Sequence, residues 1–313
     1  MLEHVVVPVD GPFSLAAAAS FGFGPNNGRP DPGDDCLRLA FGGDDLMSYV
    51  GAVVRQEAKG VLTMDITDGC DVTMAVNQIS RIVSIDTSVD GWLAAGQADP
   101  VLGRLQAAHP GMRPVLFNSP YEAAAWSVLS QRRHRAQAMK LHQRVSEAAG
   151  RTFDLAGQFV AAFPLPSDLL QIEEFPGVEP ERMARLHGVA RAAIEGQFDV
   201  PTLRSMAADA AMASLRRIKG LGPVYSMLVY LRSVGVTDGL AVDEPRLAGY
   251  LRHYYRLAET PDAATMERLA EPWRPFRTWA GVLFRLAGDG EGLPFEEPAR
   301  GPGLVEAVAS AAE

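Results

Sequence analysis

Cysteine is nearly absent from this 313-residue chain, which has Cys36 and Cys70 and no others. Two cysteines exclude a disulfide framework, a four-cysteine zinc site and a four-cysteine iron–sulfur cluster. The histidines (His4, His109, His134, His142, His187 and His253) occur in no HxH or HExxH spacing, so no transition-metal motif is present. No apolar run reaches the ~18 residues of a membrane span. The N-terminus, MLEHVVVPVDGPFS, lacks the basic region and apolar core of a signal peptide, which leads us to expect a cytoplasmic location. An overall excess of positive charge is missing too. The formal net charge of −9 argues, taken alone, against a nucleic-acid partner.

The charge is unevenly distributed. Residues 1–113 hold 7 Lys/Arg against 14 Asp/Glu, whereas residues 211–256 hold 7 basic and 3 acidic groups. A local basic face binds phosphate even on an acidic chain. Apolar residues make up 47% of the chain, enough for a packed core, and its length suits about two domains. No internal repeat is evident.

The first third reads as an antiparallel sheet with one or two helices. Strand candidates are Val5–Val9, Cys36–Gly42, Leu46–Arg55, Val61–Thr67, Asp71–Val76 and Arg81–Ile85, set off by turn signals such as Asp68-Gly69. The Ala-rich stretch Phe13–Phe23 reads as a short helix. Beyond Gly111-Met112-Arg113-Pro114 the pattern becomes helical, beginning with one long helix over Pro120–Ala149. Shorter helices follow at Ser167–Ile172, Glu179–Glu195, Val200–Ala207, Ala210–Arg217, Val224–Val234, Pro245–Tyr255, Pro261–Arg268 and about 275–287. The expected division is an N-terminal α/β domain over 1–113, a helical domain over 114–290 and a frayed tail over 291–313.

The segment Leu215–Leu247 carries the most information. A helix ends near Lys219, Gly220-Leu221-Gly222 turns tightly, and a second helix starts at Pro223, a residue suited to a helix's first turn. Glycines admit close approach of a partner, and the N–H groups opening the second helix suit an anion. This is the form of a helix-hairpin-helix, although many such turns simply connect two helices. Asp243 lies 21 residues after Gly222, just before Glu244-Pro245. It reads either as a helix cap or as a carboxylate fixed for chemistry.

On these residues the chain resembles the helix-hairpin-helix DNA glycosylases, and among them the AlkA-type 3-methyladenine DNA glycosylases. The resemblance covers about residues 10–288 and rests on three segments: Pro120–Gln131 (PYEAAAWSVLSQ), Ile218–Asp243, and Trp273-Arg274-Pro275-Phe276-Arg277. It implies an α+β protein, with an N-terminal TBP-like antiparallel-sheet domain and an all-α domain cleft between two helical subdomains. It also implies base excision repair by a monomer acting on damaged double-stranded DNA, associated with the nucleoid when bound. Neither a metal nor a cofactor is implied beyond a monovalent cation at the hairpin.

The resemblance assigns catalysis to Asp243, with Glu244 as the neighbour one position off. A fixed carboxylate stabilises the oxocarbenium-like transition state and directs the attacking water. Relatives that also cut the backbone carry a lysine where this chain has Val224, so the resemblance implies a monofunctional glycosylase. It implies DNA contacts at Gly220, Gly222, Lys219, Val224 and Gln131, and at Arg132 and Arg133, with Arg132 at the position that fills the duplex gap. A basic, solvated helix face is the alternative reading of those arginines. The implied base-pocket positions include Val224, Leu228 and Arg285, none of them aromatic. Phe21 and Trp126 are nearby aromatics, though rings at helical spacing commonly face a core. The missing pocket aromatics leave a second reading open: a weak or inactive protein that still binds damaged DNA.

Overall fold

Successive side chains of a strand point to opposite faces of its sheet, and the near-continuous apolar runs at Cys36–Gly42 and Tyr49–Val54 are buried on both faces. The computed structural model describes residues 2–20 and 36–293. β1 (Leu2–Pro8), β2 (Cys36–Gly42), β3 (Tyr49–Ala58) and β4 (Val61–Thr67) pair antiparallel in the order β1-β4-β3-β2. Leu37, Leu39 and Phe41 of β2 join Val50, Ala52 and Val54 of β3 and Leu62, Met64 and Ile66 of β4 in one core, which α1 (Leu15–Ser20) and α2 (Val72–Ile82) complete. Cys36, Ala40 and Val53 face the other way.

The two strands expected at Asp71–Val76 and Arg81–Ile85 are replaced by α2 and the turn that follows it. Asp71 caps the helix by accepting from the Met74 N–H, and Ala75, Ile79 and Ile82 return to one buried face at helical spacing.

α3 (Asp90–Ala98) and α4 (Pro100–Ala108) follow, then α5 (Pro120–Ser130) and α6 (Arg135–Ala149). The expected long helix over 120–149 is therefore two helices. The break lies at Gln131–His134, where Gln131 is extended and Arg132 has φ of 55°. Arg182 donates to the carbonyls of Val128, Leu129 and Gln131, and Arg133 donates to that of Leu129, so two guanidiniums satisfy the end of α5. β5 (Thr152–Leu155) and β6 (Gln158–Ala161) form a small hairpin that covers the second sheet face with Phe153, Leu155 and Val160. Gly51 admits it: a Cβ there would lie 2.7 Å from the Phe153 ring.

The remaining helices are α7 (Pro166–Leu169), α8 (Pro180–Ile194), α9 (Val200–Ser205), α10 (Ala208–Arg216), α11 (Pro223–Ser233), α12 (Pro245–Tyr254), α13 (Ala263–Ala270) and α14 (Arg277–Gly290). They divide between two cores. α5, α6, α8, α10 and α11 share one. α12, α13 and α14 share the other with α3 and α4, through Trp92, Leu102 and Leu105 packed near Trp273, Phe276 and Leu283. The helical half thus draws on residues before position 113. Asp99 fastens this core: it caps α4 and accepts from Trp273 Nε1 at 2.7 Å and from the Tyr255 hydroxyl. The Trp273–Arg277 motif is accordingly structural, with Trp273 wholly buried and Arg274 and Arg277 both paired with Asp238.

In the first helical core Glu122 and His142 are buried 3.6 Å apart, without a hydrogen bond between them. Burial pushes the Glu122 carboxyl up to about 7, against the opposing bond from Asn118, and pushes His142 down to about 3. The raised acid binds its proton more tightly when folded. Its contribution to stability is present below the ordinary carboxyl range and is lost as pH rises toward 7. Glu122→Gln removes this loss and retains an acceptor for Asn118. We expect the variant to gain on the parent protein by about 1–3 kcal/mol between pH 5 and pH 8. Urea unfolding at the two pH values measures it; an equal difference at both would contradict the buried-acid account.

Candidate active site and hairpin

The turn between α10 and α11 follows from its residues. Gly220 has φ of +105°, a backbone conformation that favours glycine. Leu221 is buried and plugs the space between the helices, beside Ile218 and Leu215. Gly222 caps α11 without a side chain, is exposed, and has open space where a Cβ would lie. Pro223 occupies the first turn. The first N–H groups of α11 therefore lack intrahelical acceptors and meet the surface.

Gln131 braces this turn. Its Nε2 donates to the Gly220 carbonyl at 2.7 Å, and its Oε1 accepts from Arg185 at 3.0 Å. Arg133 is bound to Glu179 and to the Gly177 carbonyl, so its guanidinium serves the fold rather than a free surface. Arg132 and Lys219 are exposed. The Glu181 carboxyl is held below the usual range first by its bond from Arg185, and more weakly by the charges of Lys219 and Arg132.

A cavity of about 270 Å³ opens between the two helical cores. α11 supplies Val224, Tyr225, Met227, Leu228, Leu231 and Arg232; α12 and its cap supply Leu247 and Glu244; α14 supplies Arg277, Thr278, Gly281, Val282 and Arg285. Val224, 57% exposed, marks its hairpin side. The volume suits one flat heterocycle at the small end of ligand cavities.

The expected pocket positions divide accordingly. Val224, Leu228 and Arg285 line the cavity. Trp126 does not: it is buried in the first helical core, edge-on to His142. Phe21 lies outside the described residues.

The two candidate carboxylates are placed differently. Asp243 is exposed and does not line the cavity. Glu244 does. As the N-cap of α12 it accepts from the Leu247 N–H through Oε2 at 2.8 Å, and its Oε1 lies 3.2 Å from Arg285 Nη1. The Glu-Pro start of the helix was the legible signal, since a capping side chain bends back over the first turn. Arg277, bound to Asp238, and Arg232, which donates to the Val115 carbonyl, are lining residues that sequence reasoning missed. Burial pushes Arg232 down to about 9, and the Arg285 charge adds to that. No group of three or more His, Cys, Asp or Glu side chains that could hold a metal ion occurs among the described residues.

No protein-family profile matches the chain. A DNA-3-methyladenine glycosylase of Bacillus subtilis is 22% identical over 213 residues, spanning 66% of this chain and 69% of the relative. DNA-3-methyladenine glycosylase 2 of Escherichia coli is 30% identical over 183 residues, spanning 57% of this chain and 61% of the relative. Among solved structures, a 3-methyladenine DNA glycosylase from Archaeoglobus fulgidus matches 93% of this chain and 100% of its own, with a TM-score of 0.76 at 16% identity. The 8-oxoguanine glycosylase/lyase of Clostridium acetobutylicum, in complex with double-stranded DNA, matches 94% of this chain and 99% of its own, with a TM-score of 0.67 at 15% identity. The antiparallel sheet, the braced hairpin and the two-core helical half, taken with these similarities, give the chain the fold of the helix-hairpin-helix DNA glycosylases, similar to that of solved 3-methyladenine and 8-oxoguanine glycosylases.

Proposed function

We propose that the protein is a monofunctional DNA glycosylase, which takes an alkylated or otherwise damaged base out of duplex DNA and hydrolyses its N-glycosidic bond. The observation that carries this reading is the cavity beside the hairpin with a fixed carboxylate on its wall. The hairpin amides, with Lys219, Arg216 and Arg217 at the turn, hold a phosphate. Arg132, projecting from a left-handed turn, enters the gap left by the flipped base, where its planar group stacks on neighbouring bases. The base occupies the cavity, and Glu244 faces the sugar, where it stabilises developing positive charge and orients water.

No lysine lines the cavity, which supports attack by water rather than by an enzyme amine. One observation favours the second reading, a damaged-DNA binder with weak turnover: both Glu244 oxygens are already engaged, one by the helix start and one by Arg285.

Single-turnover excision from methylated duplex DNA tests both readings. Glu244→Gln is expected to lower the rate by roughly 10²-fold or more, while Asp243→Asn stays within about threefold of the parent because its side chain lies outside the cavity. The opposite ranking would return catalysis to Asp243. Absence of excision by the parent protein, with lesion binding kept, would establish the binder.

Borohydride is expected to trap no covalent enzyme–DNA adduct; an efficiently trapped complex would reveal an amine nucleophile.

The hairpin reads phosphate, so its variants should act uniformly. Gly222→Asp adds negative charge where the amides open and should weaken damaged and undamaged duplex alike. Lys219→Ala should flatten the slope of log K against log salt by about one unit. Loss confined to a single lesion would place the hairpin in base recognition instead.

A further inference from the structure

Three guanidiniums, those of Arg232, Arg277 and Arg285, line the cavity against one carboxylate, Glu244. Their commitments differ. Arg277 is bound to Asp238 at 2.5 Å, and Arg232 donates to the Val115 carbonyl at 2.8 Å. Arg285 has looser partners: Nη1 lies 3.2 Å from Glu244, Nη2 lies 3.8 Å from Asp289, and Nε has no acceptor. Nε is buried, but Nη2, 3.8 Å from Asp289 and so beyond hydrogen-bond reach, has donor capacity left for an incoming group.

The rest of the wall offers a base little else. Thr278 Oγ1 is engaged with the backbone of Gly239. Tyr225 is the one aromatic ring among the lining residues; Leu228, Leu231, Leu247 and Val282 are aliphatic. Aromatic faces attract a cationic ring through their quadrupole, and aliphatic walls do not. A cationic base would also meet the Arg285 charge in an apolar, poorly screened space. Glu244 offsets one of the three guanidinium charges that line the cavity and leaves the lining with an excess of positive charge.

We infer that the cavity selects a neutral damaged base bearing a carbonyl oxygen, and that Arg285 sets this preference by donating to that oxygen and repelling cationic rings. The inference rests on the base-binding reading of this cavity, and it goes further by naming the class of base. It also accounts for the pairing with Glu244. In the free protein the carboxylate occupies the donors that a carbonyl would take up, and binding of the base would loosen its hold on Arg285.

Equilibrium binding to duplexes carrying a 2′-fluoro nucleotide tests this without cleavage, because the fluorine suppresses loss of the base. The probes are hypoxanthine and 8-oxoguanine as neutral carbonyl bases, 7-methylguanine as a cationic one, and undamaged duplex as reference. The parent protein should bind at least one neutral lesion about tenfold or more tighter than 7-methylguanine. Arg285→Leu should abolish or invert that ratio, since it removes the repelling charge and frees Glu244 to face a cation. Arg285→Lys, which keeps the charge but loses the planar fork, should still disfavour 7-methylguanine while losing affinity for the neutral lesion.

Tighter binding of 7-methylguanine by the parent protein, an unchanged ratio in Arg285→Leu, or equal binding of all lesions and undamaged duplex would each overturn the inference. Excision of the unfluorinated lesions is scored separately. A preserved binding preference without excision would defeat the hydrolytic reading and leave the inference standing; excision without the preference would do the reverse.

Discussion

The cavity depends on how the chain passes from one helical core to the other. α11 packs into the first core through Val229, Tyr230 and Leu231, and α12 packs into the second through Leu247 and Leu251. The linker between them is hydrogen-bonded onto the start of α14. The Thr278 N–H donates to the Thr237 carbonyl, Thr278 Oγ1 accepts from and donates to Gly239, and Arg277 holds Asp238. A residue larger than glycine at 239 would drive a Cβ to within 2.3 Å of Leu231. These contacts fix the distance between α11 and α14, and hence the width of the space between them. Neither core alone would create that space; it is the gap left when two separately packed units are tied at one edge.

The same geometry decides which acidic residue reaches the cavity. Ala241 to Glu244 closes as a turn, with the Glu244 N–H donating to the Ala241 carbonyl. The last residue of that turn becomes the cap, and its side chain folds back over the first helical N–H groups toward α14. Asp243, one residue earlier, stays in the turn at the surface. A shift of one position at a helix start moves a carboxylate from solvent to the cavity wall. Glutamate also adds a methylene relative to aspartate, enough to reach Arg285 while still capping.

Much of the fold was legible where local chemistry and packing agree. The four sheet strands, the helices after residue 166 and the hairpin with Leu221 as its plug are all marked by period, caps or glycines. Other features were hidden for physical reasons. α2 has β-branched residues near both ends that read as strands, and only burial on a single face makes it a helix. The break between α5 and α6 carries no proline or glycine; it exists because Arg182 and Arg133 satisfy the end of α5 and Gln131 turns toward Gly220. The membership of α3 and α4 in the second core depends on contacts more than a hundred residues distant, such as Asp99 with Trp273, which no local pattern encodes. Trp126 read as a candidate pocket ring because helical spacing identifies a face without saying what that face meets.

The arginines show how an acidic chain can still present a phosphate-binding face. Around the hairpin the fold uses several of them internally. Arg133 and Arg182 pair with Glu179 and also donate to backbone carbonyls, and Arg185 pairs with Glu181 and donates to Gln131. Each pairing removes a positive charge from long-range action while stiffening the support beneath the turn. Arg132, Arg217 and Lys219 are left at the surface beside the open amides of α11. Because the Debye length at physiological salt is about 8 Å, these nearby groups dominate what a phosphate at the turn experiences. The acidic surplus of the first 113 residues acts on it only where it comes within that range. Net charge therefore predicts the average behaviour of the molecule, whereas the pairing pattern around one turn governs how a polyanion is held there.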